Sequence, residues 1–360
     1  MKLRLGNKIT VSLISSITAF GFLMNCNTYP VKAKVNNGSE WVDLNNDGYV
    51  DKDKLSTEEK EKSDKRVAEI DAYFEKIASK KAKLKAAKNK AKETNENKDL
   101  KQINIEINTL ETEINSLKDN IHSNIGLVKV SDTSDPESLP VEEDQTVPFI
   151  GGTDPEFDGI DQVVEEDNSE IIPEASGASD VSLDGSIYYD VWNPGRWVIT
   201  GEWDWLNNDW SDDKSGTGDV GKLEGFGLIV DEDTDIYSHS INTYWSWDGI
   251  KSTPINIYND KSEDDNGWGW KWQDRIASQK TSSGTNVETY NSGSGIATLH
   301  VKFEASSTGS GDIVEATAKI GHTYSYTTIT DVTFSNSGIG FTYSSVNARW
   351  SDTENWPIEL

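Results

Sequence analysis

The distribution of tryptophans and a period-2 alternation constrain the C-terminal half of the chain most strongly. Twelve of the 13 tryptophans lie after residue 185. Apolar and polar residues alternate in runs that Ser, Thr, Gly, Asn and Asp separate, at 196–205, 268–272, 323–333 and 338–350. Such alternation is typical of antiparallel strands with one buried face. The sequence therefore predicts an antiparallel β-sandwich, jelly-roll-like, over residues 185–360.

A helical pattern precedes this region. Ser56 and Glu59 have the spacing of a capping box at a helix start. From Leu100 to Ile121, apolar residues recur at alternating spacings of three and four, which is the seam of a coiled coil. A break at 95–97 (Asn-Glu-Asn) favours an antiparallel coiled-coil hairpin over 56–124. One long helix that self-associates with another chain is the alternative.

The helical and tryptophan-rich regions are separated by an acidic stretch. No lysine or arginine occurs between Lys129 and Arg196, whereas acidic residues and prolines are frequent. A segment of low hydrophobicity and one sign of charge cannot bury a core. We therefore expect residues 125–184 to form a disordered linker, which gives α plus all-β multidomain organisation.

The N-terminal 33 residues have the order of a secretory signal peptide. Lys2, Arg4 and Lys8 precede an uncharged apolar run, and Val31 and Ala33 fit a signal peptidase site. The run is shorter than the ~20 residues that a spanning helix needs, although an uncleaved anchor is the alternative. No later stretch is apolar enough to span a bilayer. We expect a secreted bacterial protein that is either released or held non-covalently at the cell surface.

Charge narrows the choice of partners. The chain has a net charge of −28, and the signal segment carries four basic residues and no acidic one, so its removal leaves −32. Such a chain repels nucleic acids and anionic membranes. Eight lysines and no acidic residue lie between Lys76 and Lys92. They suggest contact with an anionic wall polymer, while a solvated helix face, or docking onto the chain's own acidic linker, is the alternative.

Residues 34–55 form an acidic segment with a candidate metal loop. Oxygen-bearing side chains and a main-chain carbonyl position recur at alternate residues, with Gly48 at the sixth place. The candidate ligands are Asp43, Asn45, Asp47, Tyr49 and Asp51. This pattern resembles an EF-hand or dockerin-type calcium loop, and the resemblance implies a bound calcium ion. Lys54 occupies the twelfth position, where that family has an acidic ligand, so an acidic turn is the alternative.

The tryptophans themselves are candidate ligand-binding residues. Trp203 and Trp205 share one face of a predicted strand, as do Trp268, Trp270 and Trp272. Exposed indoles suit the apolar faces of sugar rings, which makes an extracellular glycan the expected ligand. Burial of the same side chains in the sandwich core is the alternative.

Three classes of function follow. The first is a secreted or surface-associated binding protein that recognises a glycan-like ligand. The second is a toxin or bacteriocin-like effector, because the Ser/Thr-rich alternation at 306–317, 323–330 and 335–345 is also typical of membrane β-barrel strands. The third is a polysaccharide-active enzyme with a carboxylate pair such as Glu202 and Asp264. The sequence contains no nucleophile or metalloenzyme motif, so the binding class is favoured.

Overall fold

A computed structural model describes thirteen segments of the chain, all within the second of its two units, residues 33–360. The segments are 56–94, 97–132, 180–207, 210, 216–231, 234–252, 255–261, 266–280, 284–303, 313–324, 327–335, 338–344 and 349–359. Strands predominate, and the described helices all lie near the N-terminal end of this part.

Three helices begin the described part: α1 Thr57–Glu93, α2 Asn97–Asp119 and α3 Ile121–Ile125. The predicted capping box is present, since the Glu59 amide donates to Ser56 Oγ and the Ser56 amide donates to Glu59 Oε2. The chain reverses between α1 and α2, and Tyr73 Oη donates to the Leu117 carbonyl across the pair. The helices therefore run antiparallel. Gly126, with φ of 62°, ends α3 in the left-handed conformation that glycine adopts readily.

Thirteen strands follow. They are β1 Leu127–Asp132, β2 Val181–Asp190, β3 Trp197–Trp205, β4 Gly218–Val230, β5 Thr234–Tyr244, β6 Ile255–Lys261, β7 Gly267–Lys280, β8 Asn286–Tyr290, β9 Ser294–Phe303, β10 Ile313–Thr323, β11 Ile329–Ser335, β12 Gly338–Tyr343 and β13 Arg349–Glu359.

The strands form two large sheets and one hairpin. The front sheet has the order β1-β2-β3-β9-β5, and the back sheet has the order β13-β10-β4-β7-β6, with β8 also paired to β7. Strands β11 and β12 pair only with each other in the described part, as a cover hairpin, Ile329–Tyr343. All the strand pairings are antiparallel, as the alternation predicts. The two sheets exceed the eight strands of a jelly roll.

The main core lies between the front and back sheets. The front sheet contributes residues such as Ile199, Trp203 and Leu299, and the back sheet contributes Phe226 and Trp272, all of them buried. Gly295 makes room for this packing, because a Cβ atom there would lie 2.1 Å from the Trp203 ring. The predicted sandwich is therefore present in its general form, two sheets that share an aromatic core.

Helix α1 covers the outer face of the front sheet. A second core joins Ile70, Phe74 and Ala78 of α1 to Val198 and Ile296 of the sheet. The Arg66 guanidinium donates to both carboxylate oxygens of Asp190, at 3.0 and 2.9 Å. The Asp71 carboxylate contacts His300 Nε2 at 2.8 Å. The helices are therefore packed on the sandwich, which corrects the expectation of a separate helical domain.

The cover hairpin packs on the outer face of the back sheet. Its buried side chains include Ile329, Val332 and Phe341. The sheet beneath it presents a floor of glycines: Gly225, Gly227, Gly267, Gly269 and Gly321. A Cβ atom at any of the five would lie 2.6 to 2.8 Å from a hairpin side chain. Only glycine permits so close an approach of the two layers.

The predicted linker at 125–184 is wrong at both ends. Leu127–Asp132 is a strand that pairs with β2, and β2 itself begins at Val181, before the predicted domain boundary. Leu127 is fully buried in the second core, so this edge of the acidic stretch has the apolar contacts that the prediction overlooked. Residues 133–179 lie outside the described part of the chain.

Candidate functional site

Four of the five tryptophans that were predicted to form an exposed ligand-binding face are buried. Trp203 and Trp205 are each 2% exposed, and Trp270 and Trp272 are each 1% exposed. Trp203 stacks on Trp272 with ring centroids 5.4 Å apart, which joins the two sheets. The shared strand face was predicted correctly, but it is the inner face. The ligand-binding role of these four residues is therefore wrong, and their core alternative describes them.

Trp268 is the exception among the five predicted residues. It is partly buried, and its ring stacks on His239 with centroids 3.7 Å apart. Together with Tyr237 it lines a cavity of about 230 Å³ at the side of the sandwich. One face of its indole is covered by His239, so a stacked sugar could contact only the remaining surface.

A more polar cavity lies between α1 and the outer face of the front sheet. We call it the interface cavity, and its volume is about 180 Å³. Its charged side chains come from three elements: Lys81 from α1, Asp184 from β2, and Glu202 and Asp204 from β3. Ser182, Tyr244 and Ser294 are among its other lining residues. Carboxylates and hydroxyls thus surround one ammonium group.

Two ion pairs join helix and sheet at this cavity. Lys81 Nζ lies 2.5 Å from Glu202 Oε2, and Lys85 Nζ lies 2.6 Å from Asp204 Oδ1. Burial acts to lower the pKa of Lys81, but Glu202, with Asp184 and Asp204, raises it above its ordinary value. Burial lowers the pKa of Lys85 below its ordinary value. Lys81 therefore stays protonated and positively charged in the wall of the cavity.

The same contacts account for much of the lysine run at 76–92. Lys80 pairs with Glu113 and Lys88 pairs with Glu111, both of α2, while Lys90 lies 4.9 Å from the centre of the Trp247 ring. Lys80 and Lys88 thus neutralise acids of the chain itself. The wall-polymer contact stays a prediction, but Lys81 and Lys85, which contact the front sheet, are not available for it.

A second polar cluster is sealed inside the sandwich. Glu224 of β4, Asp274 of β7 and His322 of β10 are at most 2% exposed, and their potential ligand atoms lie within 4.8 Å of one another. His322 Nδ1 lies 2.7 Å from Glu224 Oε2, and the Thr323 amide donates to Glu224 Oε1 at 2.8 Å. Tyr290 Oη donates to the Asp274 carboxylate.

This cluster can hold a proton or a small cation. Burial raises the pKa of Glu224 above its ordinary value, although His322 and the Thr323 hydrogen bonds oppose the shift. Two carboxylates and an imidazole are also a plausible donor set for a divalent metal ion. Since the three side chains are almost fully enclosed, the cluster has no surface from which a substrate could reach it.

The remaining predicted site residues cannot be placed. Asp43, Asn45, Asp47, Tyr49 and Asp51 lie outside the described residues, as does Asp264. Glu202, its suggested partner, is paired with Lys81 instead. None of the helices in the described part of the chain combines the length and the hydropathy needed to span a bilayer.

Sequence reasoning missed both polar clusters. Lys81 appeared only as one of the eight lysines at 76–92, although it lies four residues after Ile77 and three before Leu84, in line with the apolar positions of α1. A charged residue at a position where a helix otherwise has apolar residues can indicate that the helix contacts another element there. This was the signal that the sequence contained. Glu224, Asp274 and His322 are 48 or more residues apart, and nothing in their local sequence links them.

Comparison with known proteins does not assign the chain to a family. No protein-family profile and no curated protein matches it. Solved structures that match part of it include the collagen-binding subdomain of the Enterococcus faecalis surface protein ACE, with 6% identity and a TM-score of 0.24, over 46% of this chain and 88% of that one. AvmM, which catalyses macrocyclization in alchivemycin A biosynthesis, has 11% identity and a TM-score of 0.19, over 50% and 89%.

A structure from work on Streptococcus parasanguinis adhesion by Fap1 fimbriae has 12% identity and a TM-score of 0.19, over 50% of this chain and 80% of that one. Scores this low do not establish a shared fold with any of the three proteins. What the chain does therefore has to be argued from its own residues.

Proposed function

We propose that this chain is an extracellular binding protein and that its ligand site is the interface cavity between α1 and the front sheet. The observation that carries the proposal is the polar wall of that cavity, where acidic side chains from β2 and β3 face Lys81 of α1. Both broad outer faces of the sandwich are covered, one by α1 and the other by the cover hairpin. The gap beside α1 is therefore the concave polar surface best suited to a ligand.

The wall defines the chemistry of the ligand. Glu202 is paired with Lys81 and Asp204 with Lys85, so the wall is close to neutral and suits a neutral, hydrogen-bonding group better than an anion. Carboxylates and serine hydroxyls accept and donate hydrogen bonds to sugar hydroxyls in a fixed geometry. A hydroxyl-rich unit of an extracellular glycan fits these requirements, and the ion pairs that join helix and sheet hold the site in shape before binding.

Calcium and the cellular location belong to the same proposal. The loop at Asp43–Asp51 resembles a calcium loop, and we propose a structural ion there rather than one that contacts the ligand. The signal-like segment at residues 1–33 supports export. An acidic protein outside the cell meets glycans and cations more readily than nucleic acids.

A paired substitution tests the site. Asp184 is exposed at the cavity wall, so Asp184→Asn changes the charge of the site with little effect on packing. Glu113→Gln is the matched control, because Glu113 is an exposed acid of α2 that contacts Lys80 outside the cavity. We expect Asp184→Asn to reduce retention on a glycan array at least tenfold, while Glu113→Gln retains the wild-type pattern. Equal retention by the two variants would rule out this cavity as the site.

A further inference from the structure

The strands of the cover hairpin pair in the same register as β10 and β13, so that the two pairs are in line with each other in the sequence. Thr323 pairs with Arg349 at the end of β10 and β13, and Ile329 pairs with Tyr343 at the base of the cover hairpin. Six positions separate Thr323 from Ile329, and six separate Tyr343 from Arg349. The Ser344 amide also donates to the Thr328 carbonyl at 2.9 Å, which extends the hairpin ladder toward the bend.

The described residues of 313–359 therefore fall into two parts that share the register of one hairpin. The inner part, β10 and β13, belongs to the back sheet, and the outer part lies on that sheet's outer face. In this register, β11 would continue β10 and β12 would continue β13 if the outer part left the face of the sheet. No pair of residues would have to slip, apart from the bulge already present between Ile329 and Asp331.

The outer part has the composition of a β-hairpin that inserts into a membrane. Between Tyr324 and Ala348 the only charged residue is Asp331, although the whole chain has a net charge of −28. In the sequence, 12 residues lie at 324–335 and 11 at 338–348, of which Ile329–Ser335 and Gly338–Tyr343 are the described strands. A spanning β-strand needs about 9–11 residues. On β11, Ile329 and Val332 are buried whereas Thr330 and Thr333 are exposed, which gives that strand the two faces of a barrel strand.

The attachment of the cover hairpin to the back sheet is suited to release. The floor beneath it consists of glycines, so departure of the hairpin uncovers few apolar side chains of the sheet itself. Its polar contacts with the sheet include those of Lys271 Nζ, which donates to the Thr330 carbonyl at 2.9 Å and lies 4.0 Å from Asp331 Oδ1, and that of the Leu223 amide, which donates to Thr328 Oγ1 at 3.2 Å. A lipid bilayer can replace the apolar contacts that the hairpin loses.

We infer that the cover hairpin swings away from the back sheet and enters a lipid bilayer as two strands of a barrel. A single ribbon would leave the polar groups of both edges unpaired in lipid, so several copies of the chain must close the barrel. The negative charge of the chain favours a zwitterionic bilayer over an anionic one. This activity goes beyond ligand binding at the interface cavity, which needs no movement of the hairpin.

A disulfide lock tests the movement. A Cβ atom at residue 269 would lie 2.9 Å from the Val332 Cβ, and a shift of about 1 Å gives the usual separation in a disulfide. The variant Gly269→Cys/Val332→Cys is made in a Cys26→Ser background, since Cys26 is the only native cysteine. Calcein release from phosphatidylcholine vesicles is measured before and after reduction, with Val332→Cys alone as the control for oxidation.

We expect the oxidised double variant to release dye at least tenfold more slowly than the same protein after reduction. The single variant should release dye equally in both states. Gly227→Ala should act in the opposite direction, because its Cβ would lie 2.6 Å from Ile339 Cγ2 and push the hairpin outward, which speeds release several-fold. Equal rates for the oxidised and reduced double variant would overturn the inference. So would a wild-type chain that releases no dye from these vesicles.

Discussion

Lys81 of α1 and Glu202 of β3 meet at 2.5 Å, although 121 residues separate them in the sequence. The side chains are 30% and 22% exposed, so both are largely withdrawn from water. Their contact lies beside the interface cavity and joins the helical hairpin to the sandwich. This contact adds to the apolar core and to the Arg66–Asp190 ion pair, which also hold α1 on the front sheet.

Substitution of Lys81 should therefore destabilise the helices and the sandwich together, rather than the helices alone. Lys81→Ala leaves Glu202 partly buried without its cation, which we expect to cost about 1–2 kcal/mol in the free energy of unfolding. Lys80→Ala is a matched control on the next residue, because Lys80 pairs with the half-exposed Glu113. It should cost less than about 1 kcal/mol. Urea denaturation of both variants measures the difference, and equal losses would contradict the role of the Lys81 contact.

The buried cluster predicts a pH dependence. The raised pKa of Glu224 means that the folded protein binds a proton there more tightly than the unfolded chain does. That contribution to stability is complete below the ordinary pKa of 4.5 and is lost as the pH rises through the raised value. Glu224→Gln cannot ionise, so its melting temperature relative to the wild type should rise between pH 4 and pH 7. A difference that stays constant over this range would exclude an ionisation cost at Glu224.

Because most of the predicted tryptophans are buried, we expect their substitution to change stability rather than ligand binding. Trp270→Ala removes a ring that is 1% exposed and should cost about 3–5 kcal/mol. Trp268→Ala removes a partly buried ring that stacks on His239 and should cost clearly less. Thermal unfolding followed by circular dichroism distinguishes the two. A Trp270→Ala protein with wild-type stability would be inconsistent with the core described above.

Calcium binding at the N-terminal loop remains a prediction. An ion that binds only the folded form stabilises it by about 2.7 kcal/mol at a hundredfold excess over Kd. Millimolar calcium should therefore raise the melting temperature of the wild-type chain, and Asp43→Ala with Asp47→Ala should remove that rise. If the wild-type melting curve is the same with calcium and with chelator, the loop is an acidic turn.

Local patterns predicted local structure well. The alternation around Trp203 and Trp270 predicted strands, and the capping box at Ser56 predicted the start of α1, because both signals depend on neighbours in sequence. The heptad seam of α2 likewise identified the side that α2 buries, with Leu110 and Ile114 among its least exposed residues. These patterns depend on periods of 2 and 3.6 residues, which a single sequence displays directly.

Relationships between distant elements could not be predicted in this way. A period of two shows that Trp270 and Trp272 share a face, but not whether another sheet covers that face. The lysine run at 76–92 included Lys81, yet its partner Glu202 became apparent only when α1 was seen to pack on the front sheet. The cluster of Glu224 and His322 depends on the pairing of β4 with β10, which no local pattern specifies.

The pairing of β1 with β2 holds together the two ends of the acidic stretch that lies between them in the sequence. Asp132 pairs with Ser186, so the described residues on the two sides of 133–179 lie on neighbouring strands at one edge of the front sheet. A segment whose two ends are fixed to neighbouring strands cannot set a distance between two bodies. A protease that cuts within it leaves both pieces joined by the β1–β2 ladder and by α1. The nicked protein should therefore migrate as one particle in gel filtration and separate into two chains only in denaturant.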